Sequence, residues 1–235
     1  MTGRLHSIQS LGAVDGPGLR AVAFLQGCPL RCAYCHNPDT WDPAGGEEIE
    51  AASLAKRLLR YRGYWGKEGG VTVTGGEPLF QAAFVEELFT ILQGEGVHTA
   101  LDTSCTGDLA AATRVLDHTN LVLADLKFLT EKDYAKYCRG SLSRVEAFLR
   151  LTEQMGVPLW IRHVVVPGLT DGEAHIRALG EKASSFRNLQ KIELLPFRKL
   201  CLEKYRAMGI PFPLESVPEM DEAACEELAR ILPDL

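Results

Sequence analysis

Cys28, Cys32 and Cys35 fall within one short run, Cys28-Pro29-Leu30-Arg31-Cys32-Ala33-Tyr34-Cys35-His36-Asn37. A loop this short can turn three sulfurs toward one metal centre, and thiolates suit iron–sulfur clusters, zinc and copper(I). A four-iron cluster held by three thiolates keeps one iron free of protein ligands, and a reaction can take place there. Zinc with His36 as fourth ligand is a competing reading. Against it, adjacent side chains rarely point at one ion, and structural zinc sites draw ligands from separated hairpins. A disulfide framework needs an oxidising compartment, and the odd total of seven cysteines leaves one unpaired. Plain burial of three small apolar side chains is the remaining alternative.

The spacing Cys-x3-Cys-x2-Cys, with Tyr34 before the third cysteine, is similar to the cluster motif of the radical S-adenosylmethionine (SAM) enzymes. Three longer runs, Asp15-Gly16-Pro17-Gly18-Leu19-Arg20, Gln26-Gly27-Cys28 and Tyr34-Cys35-His36-Asn37-Pro38-Asp39-Thr40-Trp41, resemble more narrowly the glycyl-radical-enzyme activating enzymes. The resemblance extends from about Gly3 to about Lys204. It implies a [4Fe-4S] cluster on Cys28, Cys32 and Cys35, with SAM chelating the open iron through its amino and carboxylate groups. One electron then cleaves the sulfonium to a 5′-deoxyadenosyl radical, which takes a hydrogen atom from one glycine of a partner enzyme. No acid–base pair or nucleophile is needed, and the sequence shows no triad. Relatives that act on other glycyl-radical enzymes insert a ferredoxin-like module after this motif. No cysteine lies between Asn37 and Gly75 here, so pyruvate formate-lyase is the expected partner and a flavodoxin or ferredoxin the implied electron donor. Activation of another glycyl-radical enzyme, radical chemistry on a different peptide or small molecule, and a zinc scaffold remain as alternatives.

Further residues follow from composition and from the resemblance together. Gly75-Gly76-Glu77 comes directly after a β-branched run, and paired glycines let a backbone approach a ligand closely. The resemblance places Gly75, Gly76 and Glu77 at the amino group of SAM's methionine, with Tyr34, Cys35 and His36 on the cofactor side of the cysteine loop. Asp102 reads either as a cap for a helix over 109–116 or, by resemblance, as a group near the cofactor's carboxylate end, acting through a bound monovalent cation. In Asp125-Leu126-Lys127, strand alternation puts Asp125 and Lys127 on one face. They are either a simple ion pair or, by resemblance, a SAM contact that includes Leu126. Arg162 sits in an apolar run and must find an anion or water; a carboxylate partner and a cofactor-facing role are both open. His163 reads as a hydrogen-bonded core histidine, and Asp15 lies in a loop the resemblance puts near the target peptide. The chain departs from the family pattern at Phe197-Arg198, where relatives carry Tyr-His, at Leu200-Cys201 in place of Leu-Gly, and at Cys105. Arg198 is expected to stand in for the missing histidine as a SAM contact.

The elements that must position these residues alternate along the chain. Strands are expected over 19–26, 71–74, 97–101, 121–126, 158–166 and 191–195, with helices over 53–64, 81–92, 109–116, 131–139, 144–155, 173–185 and 219–235. Residues 3–10 form an edge strand or hairpin arm and 42–50 a polar loop, with Ser53 as a possible cap. Six strand–helix alternations without an internal break predict one α/β domain over 1–235, an incomplete (β/α)6 TIM-like barrel of parallel strands, the radical SAM core. A doubly wound open sheet is the runner-up. With 46% hydrophobic and 24% charged residues and a net charge of −6, the composition is that of a globular chain without a basic face for nucleic acid. No leader or long apolar run is visible, so a cytoplasmic monomer without a membrane segment is expected.

Overall fold

Six β-branched, largely apolar segments pair in parallel: β2 (Arg20–Leu25), β4 (Gly70–Gly75), β5 (His98–Thr103), β6 (Leu121–Asp125), β7 (Leu159–Val165) and β8 (Leu189–Pro196). They lie side by side in chain order with no reversal. A doubly wound sheet would show a switch point where the order turns back, so the runner-up is excluded. Two antiparallel strands, β1 (Thr2–Gly12) and β3 (Glu47–Glu50), extend the β2 edge, and the eight-stranded sheet stays unclosed between β3 and β8. The computed structural model describes residues 1–233.

Helices return the chain between the parallel strands and cover the outer face: α1 (Ala51–Leu59), α2 (Ala82–Gly94), α3 (Leu109–Leu116), α4 (Glu131–Cys138), α5 (Leu142–Met155) and α6 (Glu173–Ser184). Their apolar stripes, such as Phe84, Leu88 and Leu92 of α2, are buried against the sheet. After β8 come α7 (Leu202–Ala207) and α8 (Glu222–Ala229).

Several boundaries differ from the sequence reading for local physical reasons. Ser53 caps nothing: α1 begins at Ala51, continuing from β3 inside the stretch read as a polar loop. The β3 segment was hidden because its Glu-rich sequence suits only an edge strand that antiparallel pairing with β1 holds in place. Likewise α7 is too short to show a period. The last helix is shorter than expected, and the final two residues of its expected span lie outside the described residues.

The amino end of the barrel is closed by a buried cation. Arg20, 0% exposed, lies in register with Gly70 and His98. Its guanidinium donates to Thr72 Oγ1 (2.6 Å), Val71 O (2.8 Å), Pro17 O (3.1 Å) and His98 O (3.1 Å). Thr72 Oγ1 in turn donates to Asp15 O at 2.6 Å, so this network also anchors the loop carrying Asp15. Arg20→Ala strands several buried carbonyls and is expected to destabilise the cluster-free protein by about 3–5 kcal/mol, read as a lower urea midpoint.

Candidate active site

The chain between β2 and β3 has no ladder, so its buried backbone groups must find partners in turns of the loop itself or on neighbouring elements. Gly27 N–H donates to Thr40 O at 2.7 Å and closes the loop on itself. Arg31 N–H donates to Cys138 O (2.9 Å) and Ala33 N–H to Tyr137 O (2.7 Å) at the end of α4, and Cys35 N–H donates to Cys32 O (3.1 Å). The Arg31 guanidinium donates to Cys28 O and Leu30 O and lies 4.8 Å over the Trp41 ring. On the far side, Lys204 of α7 bridges Asn37 Oδ1 and Asp39 Oδ1.

Two glycines bring β4 against this loop. At φ +115, Gly75 adopts a conformation that favours glycine, and a Cβ there would meet Leu25 N at 2.3 Å; one on Gly76 would meet Gly27 O at 2.2 Å. Gly76 N–H donates to Leu25 O and Glu77 N–H to Gly27 O. The Gly-Gly segment therefore lies beside the start of the cysteine loop.

The result is a cavity of about 300 Å³ at the carboxyl ends of the strands. Cys28, Cys32 and Cys35 line it together with Tyr34, His36, Gly75 and Gly76. Another wall carries Asp125 and Arg162, adjacent by strand register across β6 and β7, with Glu193 of β8 next to Arg162 behind the lining. Arg162 Nη1 lies 3.2 Å from Asp102 Oδ2, and its Nε is 3.3 Å from Glu193 Oε2 without a hydrogen bond's alignment. Thr74 Oγ1 donates to Asp102 Oδ2 at 2.9 Å, and Lys127 Nζ meets Asp125 Oδ2 at 2.6 Å. Asp15 completes the lining, and its Oδ2 is buried without a hydrogen-bond partner.

Burial pushes the Cys28 thiol up to about 12 and the Cys35 thiol up to about 11. Both therefore carry protons at neutral pH until a metal displaces them. Cys32 is shifted down instead, because the Cys138 thiol donates a hydrogen bond to it and Lys127 adds its charge. Among the described residues, no three His, Cys, Asp or Glu side chains converge on one ion. Three thiols ranged around a cavity, each free to take its own metal, fit a cluster better than a mononuclear zinc site.

Most residues singled out from sequence meet at this cavity: the three cysteines, Tyr34, His36, Gly75, Gly76, Asp15, Asp102, Asp125, Lys127 and Arg162. Three do not line it. Glu77, fully buried, turns away and accepts from Leu79 N–H (3.0 Å), Thr103 Oγ1 (2.7 Å), Ser104 N–H (2.8 Å) and the Ser104 hydroxyl. It ties the ends of β4 and β5 together. Leu126 is core. Arg198 does not line the cavity: its guanidinium donates to Met220 O at 2.7 Å and pairs with Glu222, while its carbonyl bonds His36 Nε2 at 2.8 Å. Asp108, accepting from Ala111 N–H, caps α3, so Asp102 is free to face the cavity. His163 is a core histidine as read, with Nδ1 2.6 Å from Leu126 O. Thr74 and Glu193 were missed, and only the alternation of Glu193 with apolar neighbours in β8 could have pointed to it.

The family model described as the Radical SAM superfamily matches residues 22–179. The chain belongs to the radical SAM superfamily. Its [4Fe-4S] cluster and SAM are therefore this chain's cofactors, and the donor set above fits them. The chain is 43% identical to a pyruvate formate-lyase-activating enzyme of Clostridium pasteurianum, over 99% of this chain and 98% of that one. It is 42% identical to the enzyme of the same name from Staphylococcus epidermidis, over 98% and 95%. Among solved structures, a radical SAM methyltransferase from Sphaerobacter thermophilus shares the fold at TM-score 0.64 and 15% identity, covering 91% of this chain and 63% of that one. A domain of a pyruvate-formate lyase-activating enzyme from Bacteroides vulgatus aligns at TM-score 0.57 and 24% identity, over 70% and 92%. No helix among the described residues is long and apolar enough to cross a membrane.

Burial raises the Asp102 carboxyl to about 6, against the pull of Arg162. The folded radical SAM protein thus keeps a proton that the unfolded chain has lost, and stability falls as pH rises from about 4 to about 6. Asp102→Asn should abolish that part of the slope in urea titrations of cluster-free protein; parallel curves would show Asp102 ionised throughout. Arg198→Ala is expected to leave SAM affinity within about twofold in equilibrium binding, because its guanidinium is spent on the C-terminal segment.

Proposed function

We propose that this radical SAM enzyme activates pyruvate formate-lyase. The observation that carries the reading is the 43% identity over 99% of the chain to an enzyme so named. The geometry agrees with it: three thiols and a row of fixed charges share one cavity. When bound, the reduced cluster and SAM supply a 5′-deoxyadenosyl radical that takes a hydrogen atom from a glycine of the partner.

The chain's own residues bind and orient. Cys28, Cys32 and Cys35 each hold one iron; Cys32 is buried and the other two are half-buried in the cavity wall. Gly75 and Gly76 present backbone on the side of the cavity nearest the cysteine loop, where SAM's amino group is to be held. Asp102, Asp125, Lys127 and Arg162 offer SAM both signs of charge at fixed positions, so cationic and anionic ends of the ligand are placed without reorganisation. Lys127 is the partner for SAM's carboxylate. Asp15, with one carboxylate oxygen unpaired and buried, is set to accept a backbone N–H from the incoming glycine strand.

Residues 38–74 contain no cysteine and fold as β3, α1 and most of β4, leaving no room for a second cluster module there. This favours pyruvate formate-lyase over partners whose activators carry that module. The electron donor in this reading is a flavodoxin or ferredoxin, and the working unit is a monomer.

The test is anaerobic. Cluster-loaded protein with SAM, a low-potential reductant and pyruvate formate-lyase should give a glycyl doublet in the electron paramagnetic resonance spectrum, matched by 5′-deoxyadenosine. Cys32→Ala should give neither signal and bind no cluster. Deoxyadenosine without the doublet would refute the partner and keep the radical SAM chemistry.

A further inference from the structure

The cysteine loop has a second face, away from the cavity. The two backbone bonds from Arg31 and Ala33 to the last turn of α4 flank Cys32 on either side. Tyr137 of that turn stacks on Phe128 with centroids 5.1 Å apart, and Phe128 lies 6.1 Å from the Tyr34 ring. An exterior helix end thus touches the ligand loop directly through backbone, and through Phe128 by aromatic packing.

This helix end is cationic. Lys132, Lys136 and Arg139 are exposed on and after α4, Arg144 is exposed at the start of α5, and Arg31 is half-buried in the loop. None of the five belongs to an ion pair among the described residues. The acids of the same segment, Glu131 and Asp133, accept from Ser143 N–H and Thr130 Oγ1 and offset two of these five charges, which leaves the patch net positive. The other exterior neighbour of the loop, the segment around α7, is mostly paired, with Lys199 the exception: its Nζ donates to Glu215 O. Lys204, Arg206 and Arg198 of that segment pair with Asp39, Glu203 and Glu222. In a chain of net charge −6, uncompensated positive charge therefore gathers where α4 meets the cysteine loop.

We infer that the carboxyl-terminal turn of α4, centred on Lys136, Tyr137 and Arg139, is the docking surface for an acidic one-electron carrier protein. The inference rests on the function proposed above. There SAM and the target glycine occupy the cavity mouth, so an electron must enter by another face. One electron leaves the carrier, which is oxidised by one, and reduces the cluster by one; no atom or proton is transferred. Free cations around the entry point steer an acidic partner and fix its orientation, an effect on association rate that salt screens.

The probe is a reduced flavodoxin of net negative charge, mixed with cluster-loaded protein at low ionic strength while cluster absorbance is followed. Lys136→Gln combined with Arg139→Asn removes two charges; asparagine tolerates the left-handed backbone at 139 (φ 53). The second-order rate constant should fall about tenfold, with a shallower salt dependence. Binding of the flavodoxin to cluster-free protein should weaken in the same variant. Lys67→Gln, an exposed change just before β4 at the opposite end of the barrel, should stay within about twofold. Photoreduction by a deazaflavin should proceed equally in all three proteins. Unchanged flavodoxin rates in the double variant, or equal slowing by Lys67→Gln, would overturn the surface. Failure of photoreduction in the unaltered protein would overturn the proposed function, and the surface with it.

Discussion

A loop that carries three thiols to one place gives up its own hydrogen bonding, and the rest of the structure compensates for that. The backbone donors of Gly27, Arg31, Ala33 and Cys35 find carbonyls at Thr40, Cys138, Tyr137 and Cys32. The first closes the loop, the next two pin it to α4, and the last tightens it between two ligands. An unpaired buried N–H costs free energy comparable to a lost hydrogen bond. The loop is therefore held by its surroundings, and α4, β4 and α7 are placed as much to satisfy it as to fill the barrel.

Partial burial pushes the Cys28 and Cys35 thiols up and works against their ionisation. Metal binding must supply the opposing term, so cluster assembly and the dry surroundings of the site are coupled. The same dryness governs the facing wall. Arg162 is kept charged by a ring of acids, although burial alone would work against it. Each of those acids comes from a different strand or from the Asp15 loop, so the charge row also records that the barrel has closed far enough to bring them together.

Glu77 shows how a motif can fix where the backbone lies without fixing where its side chain turns. Its two glycines do bring the backbone to the cysteine loop, while the carboxylate is consumed by three donors at the end of β5 and by Leu79 N–H. Arg198 shows the converse case. Reasoning from a substituted position sent its charge toward the cofactor, but the nearby carbonyl of Met220 and the Glu222 carboxylate capture it first.

The sequence by itself determined the thiol spacing, the parallel α/β class and the approximate span of each core element. Those properties are local: thiol spacing, β-branched runs and helical stripes act over a few residues. The alternation of Asp125 and Lys127 was legible for the same reason, and the pair indeed meets. Only the tertiary structure decided which charges face one another. Arg162 meets Asp102 from 60 residues away, and Glu193 joins through strand register. It also decided that Cys138 lies against Cys32 and that β3 exists at all. Pairings of that kind depend on the geometry of the curved, unclosed sheet, which no window of sequence contains.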